Sequence, residues 1–342
     1  MKKKKKKKKK KTGNQQSPFP LQSPCMPLVR PRLRQRLAWF PRMSSHHPDS
    51  CLFAASVRDN GIRLYNPFTR SLDATYISQD HVERLCAPHA LSFSPDGKWI
   101  YAGYDSRLEI WNVDRPGYDK ISLPTRQKYD DKGGGQSGII SCLEFNPDHS
   151  GLFACGSFSG SVGLYDQSSP SLIASLTSLG GVVQTTFSPD GTRLYTSSRK
   201  SDEIRCWDIR NTGRMLDQTL IRPGMTNQRL RFAVDPESGR FLASGDTRGN
   251  LDIFDLQDFN VEAAADRQHI SPIVCEKVHN EAAADRQHIS PIVCEKVHGD
   301  TIAAVDFHPV YSGIMASVSG QRRIDGIGSN AGTDCSVKVF SI

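Results

Sequence analysis

The stretch FSPDGKWIYAGYDSRLEIWN, from Phe93 to Asn112, indicates the fold, because its pattern of turns and apolar runs occurs six times in the sequence. A turn at a proline is followed by a short apolar run, a turn of small residues, and a second apolar run that ends in an aromatic residue. The other five copies begin at His46, Phe145, Phe187, Val234 and Phe307. Short apolar runs bounded by such turns are typical of β-strands.

The prolines of these turns measure the period of the repeat. They are Pro48, Pro95, Pro147, Pro189, Pro236 and Pro309, at successive intervals of 47, 52, 42, 47 and 73 residues. Strand-like repeats with a period of about 40 to 50 residues are typical of a β-propeller, in which each repeat forms one four-stranded blade. Small sheets that are apolar on both faces must stack on neighbours, and a ring protects their edges. We therefore predict an all-β propeller with six recognisable blades.

The repeat also predicts the strands of a blade, which we call a to d from the centre outward. In the second blade, strand a covers Leu91–Phe93, strand b Trp99–Gly103 and strand c Leu108–Trp111. The Ser-Pro-Asp-Gly turn between a and b suits its residues, because Pro fixes φ and Gly can adopt a positive φ. Asp96, with Asp148 and Asp190 in the corresponding turns, is interpreted as a turn former.

The long interval of 73 residues has its own cause. EAAADRQHISPIVCEKVH occurs at 262–279 and again, letter for letter, at 281–298, which gives a 19-residue period. One copy is needed, and we expect Ile289–Val293 to be strand d of the fifth blade. The spare copy should form a loop, since lengthening a loop costs little entropy. An exact copy indicates a recent duplication or an assembly error.

Three kinds of motif in the chain could indicate catalysis or metal binding. Cys275 and His279, repeated as Cys294 and His298, offer four zinc ligands, but a duplicate gives no independent evidence, and a buried strand cysteine is favoured. The run Gly133–Gly135 lacks the lysine of a phosphate loop and is interpreted as a flexible connection into a blade. No nucleophile elbow or isolated carboxylate pair is found. We expect no enzyme activity, no metal, no cofactor and no small-molecule substrate.

The charge of the chain is divided between its two parts. The net charge is +8, yet Lys2–Lys11 and five arginines before residue 48 supply fifteen positive charges with no acid among them, so residues 48–342 carry −7. Residues 1–30 are predicted to be a disordered basic and proline-rich leader, and residues 31–342 the propeller with its duplicated insert at 262–298. The lysine run is either a misassigned start, which we favour, or a nuclear address or RNA-binding arm.

The cysteines and the hydropathy pattern indicate a cellular compartment. Nine cysteines, an odd number, occur singly, for example Cys142, Cys155 and Cys206 within predicted strands. Without a secretory signal they are interpreted as reduced thiols in the cytosol or nucleus. No apolar run has transmembrane length, so we expect no membrane contact.

Several stretches together resemble one family. The repeats are similar to WD repeats, although the literal Trp-Asp pair occurs only at Trp207 and Asp208. The stretches HALSFSPDGKWIYAGY, GQSGIISC, FACGSFSGSVGLYD, TNQRLRFAVDPESGRFLASG and ASVSGQR, between about Leu37 and Arg322, resemble the telomerase Cajal body protein family. The resemblance implies a nuclear protein that binds small Cajal body RNAs and telomerase RNA and delivers them to Cajal bodies. It also implies telomerase ribonucleoprotein and nuclear-body proteins as partners and the cytosolic chaperonin as a folding aid.

The chain departs from the family pattern in three places. The family has a further blade before the one at Pro48, whose strand a would be Arg36–Phe40, and the chain ends after strand c of the last blade, Ser336–Phe340. The segment MPLVRPRLRQ upstream is a poor strand because of its prolines. We therefore expect six of seven blades and an incompletely closed ring. In addition, the connection Ser178–Gly181 lacks the usual histidine, and the family's long acidic or proline-rich leader is absent.

The resemblance to WD propellers implies that the b–c turns and the d–a connections share one face. Basic and aromatic side chains there could hold phosphates and stack on unpaired bases, as RNA recognition requires. The candidate residues are Arg58, Tyr104, Phe158, Arg199, Lys200, Gln228, Arg229 and Arg248, with Asn60 beside them. Taken alone, each basic residue is more often an ordinary solvated charge, and the grouping of basic loops on one rim is what favours RNA binding. The hypothesis is a non-catalytic RNA-binding scaffold, and the alternatives are a protein–protein scaffold without RNA contact and a propeller hydrolase.

Overall fold

The regular structure of this chain is almost entirely β-strand. The computed structural model describes residues 36–56, 60–126, 135–168, 171–178, 180–210, 214–258, 287–311, 313–320 and 334–341. All of them belong to one compact unit, Arg34–Ile342. In these ranges the strands form six sheets, interrupted by two short 3-10 turns, Pro48–Ser50 and Leu256–Asp258. None of the described helical segments is long and apolar enough to cross a membrane.

Each sheet corresponds to one predicted blade, and the prediction of an all-β WD-type propeller is confirmed. The strands of the first three blades follow one another in chain order with antiparallel pairing. Blade 1 contains β1 (Arg36–Trp39), β2 (Phe53–Ser56), β3 (Ile62–Asn66) and β4 (Ser71–Tyr76). Blade 2 contains β5 (Ala90–Phe93), β6 (Trp99–Gly103), β7 (Arg107–Asn112) and β8 (Ile121–Pro124). Blade 3 contains β9 (Ile140–Phe145), β10 (Leu152–Ser157), β11 (Ser161–Asp166) and β12 (Leu172–Thr177).

The last three blades are less regular. Blade 4 contains β13 (Val182–Phe187), β14 (Arg193–Ser198), β15 (Glu203–Asp208), β16 (Arg214–Ile221) and, as a fifth strand, β20 (Gln287–Ile289). Blade 5 contains β17 (Phe232–Val234), β18 (Phe241–Gly245), β19 (Asn250–Asp255) and β21 (Val293–Lys296). Blade 6 contains β22 (Ile302–Phe307), β23 (Ile314–Ser319) and β24 (Val337–Ser341).

The assignment of Ile289–Val293 to strand d of blade 5 was wrong. Ile289 ends β20, which pairs in parallel with β16 of blade 4, whereas strand d of blade 5 is β21, antiparallel to β19. Pro291 lies between the two strands and has no N–H to donate to a ladder, so a single strand cannot run through it. The chain therefore contributes one short strand to the edge of blade 4 before it returns to blade 5.

The turns between strands a and b have the geometry expected from their residues. Gly97 and Gly191 have φ values of 73° and 72°, in the left-handed region that favours glycine. Asp96 and Asp190 each accept a hydrogen bond from the main-chain N–H two residues later, at 3.1 Å in both turns. Asp148 accepts one from Ser150 at 2.8 Å. The interpretation of these aspartates as turn formers is confirmed.

The hydrophobic core lies between consecutive blades rather than within any one of them. Five clusters of buried side chains each join one blade to the next, from blades 1 and 2 to blades 5 and 6. Glycine at the end of strand b makes this packing possible, because a Cβ at Gly156 would lie 2.4 Å from Cys142 Sγ and 2.6 Å from Val182 Cγ1. A Cβ at Gly245 would similarly lie 2.3 Å from Ile302. The small residue of one blade thus makes room for strand a of the next.

Candidate functional site

The b–c turns and the d–a connection of blades 4 and 5 meet on one surface. The N–H of Lys200, in the b–c turn of blade 4, donates to the carbonyl of Thr226 at 3.0 Å. The N–H of Thr247, in the b–c turn of blade 5, donates to the carbonyl of Pro223 in the same connection at 3.1 Å. We call this surface the upper rim and define it as residues 158–160, 180–181, 199–202, 222–229 and 246–249. These hydrogen bonds make its loops one continuous surface.

A stacked pair, Phe158 and Arg199, lies on the upper rim between blades 3 and 4. The guanidinium carbon of Arg199 is 3.6 Å from the centroid of the Phe158 ring, and both side chains are half-buried. The glycines that replace the usual histidine allow this approach, because a Cβ at Gly181 would lie 2.8 Å from the Phe158 carbonyl oxygen and one at Gly180 3.2 Å from that of Arg199. A guanidinium on an aromatic ring forms a flat cationic surface of the kind on which unpaired bases stack.

Two further basic candidates are exposed on the same rim. Lys200 follows Arg199 directly and has a φ of 51°, so the turn holds it in the left-handed region. Arg248 is exposed in the b–c turn of blade 5, where its N–H donates to Asp246 Oδ1 at 2.8 Å. The structure therefore brings Phe158, Arg199, Lys200 and Arg248 onto one surface, as the turn pattern predicted.

Of the other candidates, Tyr104 is buried away from the rim, Gln228 lies on the rim in a bracing role, and Arg58 cannot be placed. Tyr104 is only 3% exposed and belongs to the core between blades 1 and 2, with Arg107 4.9 Å from its ring centroid. A base cannot reach that ring, so we leave Tyr104 out of the proposed surface. Gln228 braces the rim, since its Nε2 donates to the carbonyl of Gly320 at 2.6 Å. Arg58 lies outside the described residues.

Arg229, on the inner side of the rim, joins blade 5 to blade 3. From the connection into blade 5 its Nη2 donates to the carbonyl of Ser141, on β9 of blade 3, at 2.5 Å. Burial, together with the charges of Arg36, Arg231 and Arg199, lowers the pKa of Arg229. Arg36, on β1, donates in turn to the carbonyl of His89 at the start of blade 2. The inner strands thus gather cationic side chains from several blades at one end of the channel.

Deeper in the channel lie polar side chains that the sequence argument missed. Thr186 Oγ1 donates to Glu144 Oε2 at 3.4 Å, and Gln184 Nε2 donates to the carbonyl of Phe232 at 2.7 Å. Burial raises the pKa of Glu144 to about 8, although Arg231 opposes that shift. Burial also raises the pKa of Asp306. A signal was available, because these residues alternate with buried apolar residues along strands a, which line the channel of a propeller.

His298 belongs to a Ser-His-Asp arrangement in blade 6, which the sequence did not predict. Its Nδ1 is 3.2 Å from Asp334 Oδ2 and its Nε2 is 2.7 Å from Ser317 Oγ. His298 is 2% exposed and Ser317 is fully buried, so a substrate has no access to the hydroxyl. The three residues tie the connection into blade 6 to strands b and c of that blade. We therefore interpret the arrangement as structural.

Gln136 has the corresponding role in blade 3. It follows the predicted flexible run, of which Gly133 and Gly134 lie outside the described residues, yet it is fully buried. Its Nε2 donates to the carbonyls of Cys155 at 2.7 Å and Ser161 at 3.0 Å, and its Oε1 accepts from the Tyr165 hydroxyl at 3.2 Å. An amide thus fills the position that a histidine fills in blade 6.

The zinc alternative gains no support from the half of the duplicated motif that is described. Both ring nitrogens of His298 are already within hydrogen-bond distance of protein groups. The expectation that Cys294 is a buried strand residue was wrong, because it lies exposed on β21, an outer strand of blade 5. Within the described ranges no group of His, Cys, Asp and Glu is suited to hold a metal ion. Cys275 and His279 lie outside those ranges.

Comparison with known proteins places the chain in a family. The family model described as "WD domain, G-beta repeat" matches residues 78–112 and 129–166. The chain is 35% identical over 285 residues to Telomerase Cajal body protein 1 of Mus musculus, covering 83% of this chain and 48% of that protein. It is 40% identical over 218 residues to the protein of that name in Homo sapiens, covering 64% and 38%.

A relative of a different name shows how far the similarity extends. The chain is 33% identical over 219 residues to Guanine nucleotide-binding protein negative regulator 1 of Schizosaccharomyces pombe, covering 63% of this chain and 54% of that protein. The chain spans about half the length of the curated relatives it matches. The repeats and the relatives together support a WD-repeat scaffold. By these similarities, this chain is a WD-repeat propeller protein of the telomerase Cajal body protein family.

Proposed function

We propose that this chain is a non-catalytic scaffold that binds small Cajal body RNAs and telomerase RNA and directs them to Cajal bodies in the nucleus. Its partners on this proposal are the telomerase ribonucleoprotein and nuclear-body proteins, and the cytosolic chaperonin assists its folding. The names of the curated relatives support the cellular role. The non-local strand pairing of a propeller, which folds slowly and exposes strand edges, supports the need for a chaperone.

The observation that carries the proposal is the Phe158–Arg199 pair with its basic neighbours. The body of the chain, residues 48–342, is net negative, yet Arg199, Lys200, Arg229 and Arg248 lie on one rim. An RNA hairpin loop offers both parts of the matching chemistry, namely unpaired bases that stack and phosphates that pair with cations.

The test is ultraviolet cross-linking of the tagged protein in nuclei, followed by sequencing of the attached RNA. One variant replaces Arg199, Lys200 and Arg229 by alanine. The matched control replaces three basic residues outside the upper rim, Lys98, Arg115 and Arg210, which lie in a–b and c–d turns, so both variants lose the same charge. We expect the wild type and the control to recover small Cajal body RNAs and telomerase RNA, and the rim variant to lose them by at least about tenfold.

Two outcomes would contradict the proposal. Equal recovery of these RNAs by the rim variant and the control would show that the rim does not hold RNA. Capture of nuclear-body proteins by the wild type, with no RNA above background, would favour the alternative of a protein–protein scaffold.

A further inference from the structure

We propose that the two copies of the repeated segment exchange places, so that either of them can complete blade 5. In the described arrangement the second copy, 281–298, supplies β20, β21 and His298. In the exchanged arrangement the first copy, 262–279, takes those positions and residues 281–299 leave the sheets. This inference goes beyond the proposed function and does not depend on RNA binding, because it concerns which part of the chain forms strand d.

The first argument is that the residues which hold the second copy in place all recur in the first. The second copy pairs with β16 and β19, and it packs Ile289 and Val297 against the clusters on the two sides of blade 5. Its last residue, His298, is joined to Asp334 and Ser317. Each residue of this copy has an identical counterpart nineteen positions earlier. The contacts of the segment itself therefore stabilise both arrangements equally.

The second argument is that the one residue that differs at the junction fits. Asn280 follows the first copy, whereas Gly299 follows the second. Gly299 contributes a main-chain N–H, which donates to Asp334 Oδ2 at 2.8 Å, and asparagine has the same group. A Cβ at Gly299 would lie 3.5 Å from the Cβ of Asp334, which is an ordinary contact distance. Asn280 can therefore occupy this position without displacing its neighbours.

The third argument is that the chain is long enough for the exchange. Leu256, directly after strand c of blade 5, belongs to the core cluster against which Ile289 packs, so the repeated segment enters the sheets close to the end of that strand. In the exchanged arrangement residues 259–267 connect the two points, and nine extended residues span about 30 Å. At the other junction the loop 281–299 starts and ends at positions that are bonded neighbours in the described arrangement, so its ends already meet.

The fourth argument is that strand d can leave its sheet without unfolding the blade. All four residues of β21 are exposed, and β20 has only three residues. Short edge elements with little buried surface open locally at a small fraction of the global stability. The described arrangement is the major one, because it closes one long connection, 259–286, and the exchanged one closes two shorter ones. Loop entropy favours the single connection on the order of tenfold.

The experiment blocks one copy at a time in the full chain. The N–H of Val297 donates to the carbonyl of Gly249 at 3.1 Å, so the N–H of Glu295, two residues earlier in the same antiparallel ladder, also faces β19. Glu295→Pro removes this donor from the second copy, and Glu276→Pro makes the matched change in the first. The wild type, the two single variants and the double variant are compared by their urea unfolding midpoints.

We expect Glu276→Pro alone to leave the midpoint unchanged, because the second copy still supplies strand d. Glu295→Pro alone should lower the midpoint only in part, because the first copy then completes blade 5. The double variant should lower it about twice as far as Glu295→Pro does, because neither copy can then pair along β19. The effect of Glu276→Pro should thus appear only when the second copy is blocked.

A milder pair of substitutions keeps the inference testable if the proline variants do not fold. His298→Ala removes the buried imidazole that the second copy provides, and His279→Ala is the matched change in the first copy. We expect the same pattern, with no shift for His279→Ala alone and a larger loss in the double variant than in His298→Ala.

Two results would overturn the exchange in either pair. A double variant with the same midpoint as the single variant of the second copy would show that the first copy gives no rescue. A loss caused by the first-copy variant alone would show that the first copy has contacts of its own and does not stand in reserve.

Discussion

Apolar side chains line the strands both at the interface between blades 2 and 3 and on the outer faces of blades 1 and 6. They are buried at the interface and exposed on the outer faces. Tyr101 of blade 2 lies against Phe145 and Phe153 of blade 3 with ring centroids 4.9 and 5.2 Å apart, and Phe153 is fully buried. On blade 1, Trp39 and Phe53 pair with centroids 5.4 Å apart, yet Trp39 is 59% exposed.

The outer face of blade 6 repeats this contrast with aliphatic residues. Val337 and Val339 alternate along β24 as core residues do, but they are 67% and 69% exposed. Among the described residues no core cluster joins blade 6 to blade 1, and the incompletely closed ring stays a prediction. An apolar strand face in a propeller therefore becomes part of the core only when a neighbouring blade covers it.

The largest effect that tests this comparison is expected at the interface of blades 2 and 3. Phe153→Ala should lower the free energy of unfolding by about 3–5 kcal/mol, because it leaves a cavity in a close-packed aromatic cluster. The matched change Trp39→Ala should cost about 1 kcal/mol or less, since water already reaches most of that ring. Urea denaturation followed by tryptophan fluorescence and circular dichroism compares the two. Equal losses would show that a further element covers Trp39.

A smaller effect is expected in the hydrogen-bonded group of blade 6. Hydrogen bonds from the Ser336 hydroxyl and the Gly299 N–H hold the pKa of Asp334 well below its ordinary value. The stabilisation is therefore fully present above about pH 4, the range of an unfolded aspartate, and is lost as the pH falls through the folded pKa. Asp334→Asn should flatten the fall of the melting temperature between about pH 4 and pH 2. The exposed Asp105→Asn should leave that slope unchanged, and an identical slope in both variants would contradict the assigned role.

The smallest change in stability is expected on the open face of blade 6. Val337→Thr with Val339→Thr keeps the β-branched shape and should shift the free energy of unfolding by no more than about 0.5 kcal/mol per site. Because exposed apolar strand faces promote association, the double variant should scatter less light at high concentration. Ile302→Thr, at a fully buried position, is the contrasting control and should destabilise strongly. A large loss of stability in the valine variant would mean that this face is covered in solution.

The sequence predicted the strands and blades more accurately than the residues of the candidate site. The strands of blade 2 were predicted to within a residue at each end, because its Ser-Pro-Asp-Gly turn and aromatic strand ends are local signals. Ile289–Val293 was misassigned, because the choice between two neighbouring sheets depends on partners far along the chain. Tyr104 shows the same limit within a turn, since whether an aromatic ring stacks on a ligand or on the next blade is decided by packing.

The number of recognisable blades, the turn chemistry of each, and the turns that carry Arg199, Lys200 and Arg248 all follow from the amino-acid sequence. These are properties of residues close together in the chain, where φ preferences and alternation suffice. The positions that depend on the ring are the stacking of Arg199 on Phe158, the hydrogen bond from Arg229 to the Ser141 carbonyl, and the burial that raises the pKa of Glu144. Each of these joins residues of different blades, and inter-blade distance and burial are set by the arrangement of the ring rather than by local sequence.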